Sequence, residues 1–252
     1  MIRMDKEDVR EEAISQTREE VQGSVDRDKL LVKAVKQLDQ LENDFREEVE
    51  RLRDWHAVHF PELEQELTED DRFVDILEKY GVGKTGIEPF KSMADKSTGS
   101  QLSEKDKKLI ESSVATVASM KDLREELEKY IEEGATEEFQ NLSVLLGPVL
   151  TTRLVALAGG LEELAKKPAS TVQMLGAEKA LFRHLHGEGS PPKHGVLFQH
   201  RFVKNLPEVK RGKMARFLAN KSVIAARIDQ YGDEDKSEQL RKEIEDKYDN
   251  LR

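Results

Sequence analysis

The chain has 252 residues and is acidic, with 51 Asp and Glu against 41 Lys and Arg, and its 37% hydrophobic content leaves little apolar material for one large core. Because it contains no cysteine, it holds no disulfide, no thiolate zinc site and no cysteine nucleophile, which agrees with a reducing compartment. No run approaches the roughly 18 apolar residues of a membrane span, and residues 1–30 are too charged for a signal peptide, so we expect no membrane partner.

Two helical seams dominate the first half of the chain, after a polar stretch (1–27) that predicts a helix or the remnant of a missing domain. Apolar residues recur every three or four positions along both seams, which is the pattern of a coiled coil. A linker at residues 68–101 separates them, so the two arms are expected to pack antiparallel as a hairpin over residues 28–135, with the linker as its tip. The seam residues are Leu31, Val35, Leu38, Phe45, Leu52, Ile110, Val117 and Leu127, and the first arm closes with Trp55 and His59.

The tip contains a sequence that imitates a phosphate-binding loop. The motif's last three residues are matched by GKT at 83–85, but Glu78 stands where its first glycine belongs and no hydrophobic strand precedes it. We therefore expect no nucleotide site. Residues 73–80 instead predict a short helix that stops at Gly81.

From residue 136 the composition becomes more apolar and predicts a small helical globule that ends near residue 232. Its helical pattern is interrupted at 147–148 and at 159–160, where glycine occurs. Residues 233–252 predict a last amphipathic helix. No segment shows the alternation of a strand, so the predicted fold class is all-α: a long antiparallel coiled-coil hairpin followed by a small helical domain.

A basic segment interrupts this acidic chain. Residues 171–230 hold eleven Lys and Arg against four Asp and Glu, a charge of +7 within a chain of −10. Such a concentration of cations is the electrostatic footprint of a polyanion. A solvated helical face is the plain alternative, and charge alone does not separate the two.

Three features of the basic segment favour RNA. The loop GEGSPPKHG (187–195) combines glycines, which permit close approach of a ligand, with prolines that fix its shape and with Lys193 and His194 at its end. Gln199 and His200 follow, and an amide and an imidazole can hydrogen-bond or stack on exposed bases. Three cations then fall on neighbouring turns of a helix, where they can contact adjacent phosphates: Arg211, Lys213 and Arg216.

The sequence carries no recognisable pattern of catalytic or metal-binding residues. Histidines fall in pairs, at 56 and 59 and at 184 and 186, but a zinc site without cysteine needs three convergent ligands, and HExxH is absent. No nucleophile stands beside a base at an informative spacing. We therefore predict no enzyme activity, no metal and no cofactor.

The order of several motifs resembles the Nop family, the core proteins of archaeal and eukaryotic box C/D ribonucleoproteins with their spliceosomal relative. The matching stretches are RLRDWHAVHFPEL (51–63), PASTVQMLGAEK (168–179), GAEKALFRHL (176–185), PPKHGVLFQH (191–200) and RGKMARFLANKSVIAARID (211–229). The resemblance covers roughly residues 28–251. It implies a coiled coil followed by a Nop domain, here residues 136–232.

The function that the resemblance implies is that of a scaffold. In the family, the Nop domain binds a kink-turn RNA jointly with the ribosomal-protein-like factor already bound to it, and the coiled coil pairs two copies. In the full complex, fibrillarin carries out the 2′-O-methylation of rRNA or tRNA that a box C/D guide RNA directs. The resemblance thus implies an archaeal, cytoplasmic protein with no catalytic residue of its own.

Residue roles carried over from the resemblance fall into two groups. Those assigned to RNA are Lys179, Arg183, Lys193, His194, Gln199, His200, Arg211, Lys213 and Arg216. Those assigned to the protein partner are Glu178, Lys179, Phe182 and Arg183. Within the first group, Gln199 or His200 is expected against a base and the cations near phosphate.

The chain also departs from the family pattern. Arg201 stands where proline is common, and residues 206–209 lack the tryptophans often found before RGK. The family's N-terminal domain is not seen before the coiled coil, so direct recruitment of fibrillarin by this chain is not expected. Two other interpretations stay open: a spliceosomal-type Nop protein, and a coiled-coil interaction protein that binds no RNA.

Overall fold

The computed structural model describes residues 27–87, 90–232 and 234–252. Every regular element in these ranges is helical, so the all-α fold class predicted from the sequence is confirmed. The helix predicted for residues 1–27 lies, except for its last residue, outside the described residues.

The described chain forms two compact units. The hairpin unit comprises residues 37–129, and the globular unit combines residues 27–36 with residues 130–252. Two long helices, α1 (Arg27–His59) and α5 (Glu104–Glu138), belong partly to each unit. The compact hairpin is therefore shorter than the predicted range, because the outer turns of both helices contribute to the core of the globular unit.

Within the hairpin unit the two long helices run antiparallel. Phe45 of α1 lies under the guanidinium of Arg124, 4.9 Å from its ring centroid, and further along α1 Leu52 lines one groove with Val117. Residue numbers increase along α1 in the direction in which they decrease along α5, as the two seams predict. The contact between them is apolar, because each helix buries one stripe of its surface.

The seam residues occupy the inner faces of these helices. All are buried except Leu127, which is half-buried. Leu31 extends into the core of the globular unit, where it packs on Gly134; a Cβ there would lie 2.6 Å from Leu31 Cδ2. Trp55 departs from the predicted seam and is 48% exposed, because His56, four residues after Leu52, takes the buried position.

Short elements build the tip of the hairpin unit: α2 (Pro61–Glu66), α3 (Asp70–Tyr80), a 3-10 turn (Lys84–Gly86) and α4 (Lys91–Ala94). The predicted helix stop at Gly81 is confirmed by its φ of +77°, a conformation that glycine adopts without strain. Lys84 is buried, and its Nζ donates to the carbonyl of Gly99 at 2.7 Å. This lysine therefore holds the tip together and is not presented to a phosphate.

A largely buried ion cluster joins α1 to the tip. The Arg53 side chain is 11% exposed, and its Nη1 donates to Glu64 Oε1 at 2.8 Å and to the carbonyl of Leu67 at 2.7 Å. Its Nε donates to Asp70 Oδ1 at 3.0 Å, and the guanidinium lies 4.3 Å from the Phe73 ring centroid. One cation thus connects α1 with acceptors on α2, on α3 and between them.

The globular unit packs its short elements around one long helix, α12 (Glu208–Tyr231), whose inner face is buried. The predicted breaks at 147–148 and 159–160 are confirmed, since helices end at Leu146 and at Ala158. The other elements are α6 (Gln140–Leu146), α7 (Pro148–Ala158), α8 (Leu161–Lys166), α9 (Ala169–Val172), α10 (Glu178–Leu185), a 3-10 turn (Gly195–Gln199), α11 (Arg201–Lys204) and α13 (Ser237–Leu251).

Among the described residues, no single helix is both long and apolar enough to cross a membrane. Helices α6 and α7 pass that test only as a pair, and they are bent by 115° where they meet. Most residues of both helices are buried in the globular unit.

Candidate nucleic-acid interface

One glycine fixes the position of the loop at residues 187–195. Gly195 has a φ of +47°, and a Cβ there would lie 2.3 Å from the carbonyl oxygen of Leu175 and 2.8 Å from that of Gln173. Only glycine permits so close an approach of two backbones. The loop is also held by a hydrogen bond from Gln173 Nε2 to the carbonyl of Lys193, at 2.6 Å.

This loop, α12 and α13 enclose a groove of about 710 Å³, which we call the basic groove. Its four cations come from the loop and from both helices: Lys193, Lys213, Arg216 and Lys247. The rest of its lining is apolar or uncharged: Ser170, Gln173, Met174, Pro192, Val209, Gly212, Phe217 and Asn220. No Asp or Glu of the described chain lines it.

The four groove cations have no ion-pair partner among the described residues. Other cations of α12 and α13 do: Lys221 pairs with Glu243, and Arg241 pairs with Glu245 at 3.1 Å. Like charges that are gathered without counter-charge raise the energy of the free protein, and an anionic ligand relieves that repulsion. The groove is therefore suited to a polyanion.

Three predicted RNA-binding residues, Lys193, Lys213 and Arg216, meet in the basic groove. Lys247 joins them, although no RNA contact is predicted for the C-terminal helix. It is one cation among the mixed charges of that helix, so only the packing of α13 against α12 reveals it.

His194 and Arg211 both lie close to the Phe198 ring and do not line the basic groove. The ring centroids of His194 and Phe198 are 4.9 Å apart, and the Arg211 guanidinium lies 5.3 Å from the Phe198 centroid. Partial burial, with the nearby Arg211 charge, lowers the pKa of His194. Arg211 also donates to the carbonyls of Leu206 at 2.8 Å and Lys204 at 3.3 Å. These two bonds stabilise the α11–α12 junction, and the phosphate contact of Arg211 stays a prediction.

His200 faces the protein interior. It is 8% exposed, its Nε2 lies 3.1 Å from the carbonyl oxygen of Leu145, and its Nδ1 accepts from the amide of Phe202 at 3.2 Å. These two bonds define a neutral imidazole, and burial lowers its pKa to about 4. In this structure the His200 ring therefore does not face outward, as expected for a residue that lines RNA, but caps α11 and contacts α6.

Gln199 is exposed but lies apart from the basic groove. Its amide oxygen accepts from Arg153 Nη1 at 3.1 Å. With Arg153 and Arg201 it lines a second depression of about 560 Å³ at the bend between α6 and α7. Gln199 and His200, the two neighbours expected to face a base, therefore lie in different surroundings.

Alanine at position 200 tests the structural role of the imidazole. His200→Ala removes the cap of α11 and leaves the Leu145 carbonyl without its donor, so we expect the free energy of unfolding to fall by about 1–3 kcal/mol. Urea denaturation measures this loss, with the exposed Gln199→Ala as control. At urea concentrations well below the unfolding midpoint, the RNA affinity of the variant is expected to equal that of the unmodified protein. Weaker RNA binding by the fully folded variant would show that His200 contacts RNA.

Helix α10 stands clear of the core, since none of its residues is buried. Phe182 is 63% and Leu185 is 74% exposed, and the Phe182 ring lies 4.1 Å from that of His186. Lys179 and Arg183 are exposed on the same helix. An amphipathic helix that leaves large apolar side chains in solvent is typical of a docking surface. The predicted partner-binding residues lie on it: Glu178, Lys179, Phe182 and Arg183.

Fold and site together define a helical binding protein. It offers a groove of unpaired cations and, starting four residues after Met174 of that groove, an exposed amphipathic helix. In the described part of the chain, no group of three or more His, Cys, Asp or Glu is placed to hold a metal ion. Such a surface can bind phosphate and a protein side by side.

The chain belongs to the Nop family. The family model, described as a snoRNA binding domain and fibrillarin, matches residues 37–250, so the resemblance drawn from the motifs is confirmed. A NOP5 family protein of Methanocaldococcus jannaschii is 37% identical over 236 residues, which cover 87% of this chain and 57% of the relative. Nucleolar protein 56 of Homo sapiens is 34% identical over 256 residues, which cover 92% of this chain and 43% of the relative. The chain thus spans about half the length of these relatives.

The fold is also similar to a solved structure. A chain in the crystal structure of a fibrillarin/Nop5p complex matches with a TM-score of 0.58 and 27% identity. The match covers 97% of this chain and 78% of that one. The similarity therefore extends over both units of the described chain.

Proposed function

We propose that this chain is a scaffold of a box C/D guide ribonucleoprotein, binding a kink-turn RNA together with the ribosomal-protein-like factor already on it. The observation that carries the proposal is the basic groove, in which four cations have no carboxylate partner. Membership of a family described as snoRNA-binding supports RNA as the polyanion. The chain supplies binding surfaces and no catalytic residue.

Two surfaces of the globular unit divide the recognition. The basic groove suits the phosphate backbone, where Lys213 and Arg216 lie near one another on α12. Helix α10 presents Phe182 and Leu185 to the bound factor, with Lys179 and Arg183 available to RNA beside them. Joint contact with RNA and protein explains why both a cationic and an apolar surface are exposed.

The acidic hairpin unit adds selectivity. Residues 37–129 contain 14 Lys and Arg and 24 Asp and Glu, a net charge of −10. This charge repels RNA that comes within the Debye length of about 10 Å at 0.1 M salt. We therefore expect weak binding to bare RNA and tight binding only where the factor adds its own contacts.

The hairpin unit also carries exposed apolar side chains that support the pairing of two copies. Trp55, Val58 and Leu109 are 48%, 59% and 55% exposed. Trp55 lines a groove of about 680 Å³ with Ser113 and Thr116, small enough residues to admit a neighbouring helix. In the proposed archaeal, cytoplasmic particle, fibrillarin performs the methylation, and its recruitment is not assigned to the described residues.

Binding titrations with separate and preassembled ligands test the proposal. The chain is titrated with a kink-turn hairpin RNA, with the kink-turn factor, and with the two preassembled. We expect the preassembled complex to bind about 5–150-fold more tightly than RNA alone, the usual range of coupling between two ligands. The mass of the assembled complex reports whether two copies are present.

Two outcomes contradict this proposal. If the chain binds bare single-stranded RNA as tightly as the preassembled complex, joint recognition of RNA and factor is excluded. Failure to bind the preassembled complex leaves the interpretation as a coiled-coil interaction protein.

A further inference from the structure

We infer that the basic groove holds one unpaired nucleotide with its flanking phosphates, and that Lys247 of the C-terminal helix is one of the phosphate-binding side chains. The inference rests on the proposed function. It names the part of the RNA that enters the groove and makes α13 part of the interface.

The size and polarity of the groove fit a nucleotide. Its volume of about 710 Å³ lies within the range of about 300–1,000 Å³ that is usual for small-ligand sites. Cations alone would suffice for the outside of a duplex, but this lining also has an apolar part that includes Met174, Pro192 and the 82% exposed Val209. An unstacked base offers an apolar face, whereas a base stacked within a duplex hides it.

Two side-chain amides in the lining of the groove offer hydrogen-bond acceptors. Gln173 Nε2 donates to the Lys193 carbonyl at 2.6 Å, and Asn220 Nδ2 donates to the Arg216 carbonyl at 3.0 Å. The amide oxygens of Gln173 and Asn220 thus remain as acceptors. Phosphate oxygens carry no proton to donate, but base edges do. These acceptors therefore match a base, while the cations match its phosphates.

Lys247 lies where it can bind a phosphate at one end of the groove. Lys221 and Lys247 both lie near the Phe217 ring, with Nζ atoms 5.3 Å and 5.7 Å from its centroid. Lys221 is neutralised by Glu243, which leaves Lys247 as the free charge at this end of the groove. The next residue, Tyr248, stacks on Phe202 with centroids 4.5 Å apart and so holds the helix in register.

Salt-dependent binding tests the role of Lys247. The probe is a kink-turn hairpin RNA preassembled with its factor, and the variants are Lys247→Gln, Lys213→Gln as a groove reference, and Lys242→Gln as the control. Lys242 lies on the same helix, is exposed and does not line the groove. Loss of one phosphate contact removes about one counterion, so affinity lost between 50 and 200 mM salt is expected to be about threefold smaller for both groove variants. Lys242→Gln is expected to match the unmodified protein.

Crosslinking tests the nucleotide. The RNA is prepared with 4-thiouridine at each unpaired position in turn, and crosslinked peptides are mapped. We expect one position to crosslink to the groove lining, at residues 209–220 or 173–174, and this crosslink to weaken in Lys247→Gln. The inference is overturned if no position crosslinks there, or if Lys247→Gln behaves like Lys242→Gln.

The assay separates this inference from the proposed function. If the unmodified protein does not bind the preassembled complex, the proposed function fails and the nucleotide groove with it. If it binds and Lys247→Gln binds equally well at every salt concentration, only the groove assignment fails. If Lys247→Gln weakens binding to the factor without RNA, the groove holds an acidic protein surface and the nucleotide is excluded.

Discussion

Replacing Phe182 and Leu185 together by aspartate is expected to abolish docking on factor-bound RNA while the protein stays folded. Helix α10 has no buried residue, so its exposed face contributes little to the free energy of unfolding. Apolar anchors that are desolvated at an interface contribute about 2 kcal/mol or more each. Losing both, with charges introduced in their place, is expected to lower affinity by more than about 100-fold.

Titration of preassembled RNA and factor measures this loss. Ile224→Asp is the matched control, since Ile224 is also an exposed apolar residue of the globular unit, 41% accessible on α12. The weak affinity for bare RNA is expected to fall far less than the affinity for factor-bound RNA, because the two aspartates only add charge near Lys179 and Arg183 and remove no RNA-binding side chain. Binding of the double variant within threefold of the unmodified protein would exclude α10 as the docking helix.

Arg53→Met is expected to destabilise the hairpin unit by about 1–3 kcal/mol, less than the about 3–5 kcal/mol of a fully buried pair, because the Glu64 and Asp70 side chains are 28% and 40% exposed. The change leaves Glu64, Asp70 and the carbonyl of Leu67 without their donor, at a site where the arginine is only 11% exposed. Methionine keeps most of the side-chain volume over Phe73. The loss therefore reports charge and hydrogen bonding more than packing.

Urea denaturation and hydrogen exchange over residues 37–129 measure this effect. Arg51→Met is the control: that guanidinium is 61% exposed and pairs with Glu47 and Glu48 within its own helix, so its removal is expected to cost less than about 1 kcal/mol. Adding Glu64→Gln and Asp70→Asn to Arg53→Met should recover part of the stability, because the orphaned charges are removed. Equal losses in the two single variants would show that the cluster is not the link between α1 and the tip.

The features that could be predicted from the sequence are those encoded by neighbours along the chain. The seams from Leu31 to Leu52 and from Ile110 to Leu127 follow from a spacing of three and four residues, which places apolar side chains on one face of a helix. The helix stops at 81, 147 and 159 follow from glycine. The concentration of cations in residues 171–230 is a property of the local composition.

The local sequence did not predict which way individual polar residues face. His200 and Gln199 are adjacent, yet His200 is buried against a carbonyl 55 residues away and Gln199 is exposed. Arg211 and Lys213 lie on the same turn of helix, but the guanidinium of Arg211 is taken by two backbone carbonyls. Trp55 is expected on the seam but is exposed, and His56 is buried in its place, because the packing partner and not the spacing alone decides burial.

The sequence by itself determined the all-helical fold, the paired arms, the basic segment and the family, because each depends on residue order and local spacing. Only the tertiary structure showed which cations share a groove, since that depends on how α13 packs against α12 and brings Lys247 beside Lys213. The tertiary structure also showed that α10 has no buried residue and that the His200 ring faces the protein interior. Burial and charge pairing arise between residues far apart in the chain, and a periodic pattern carries no information about such contacts.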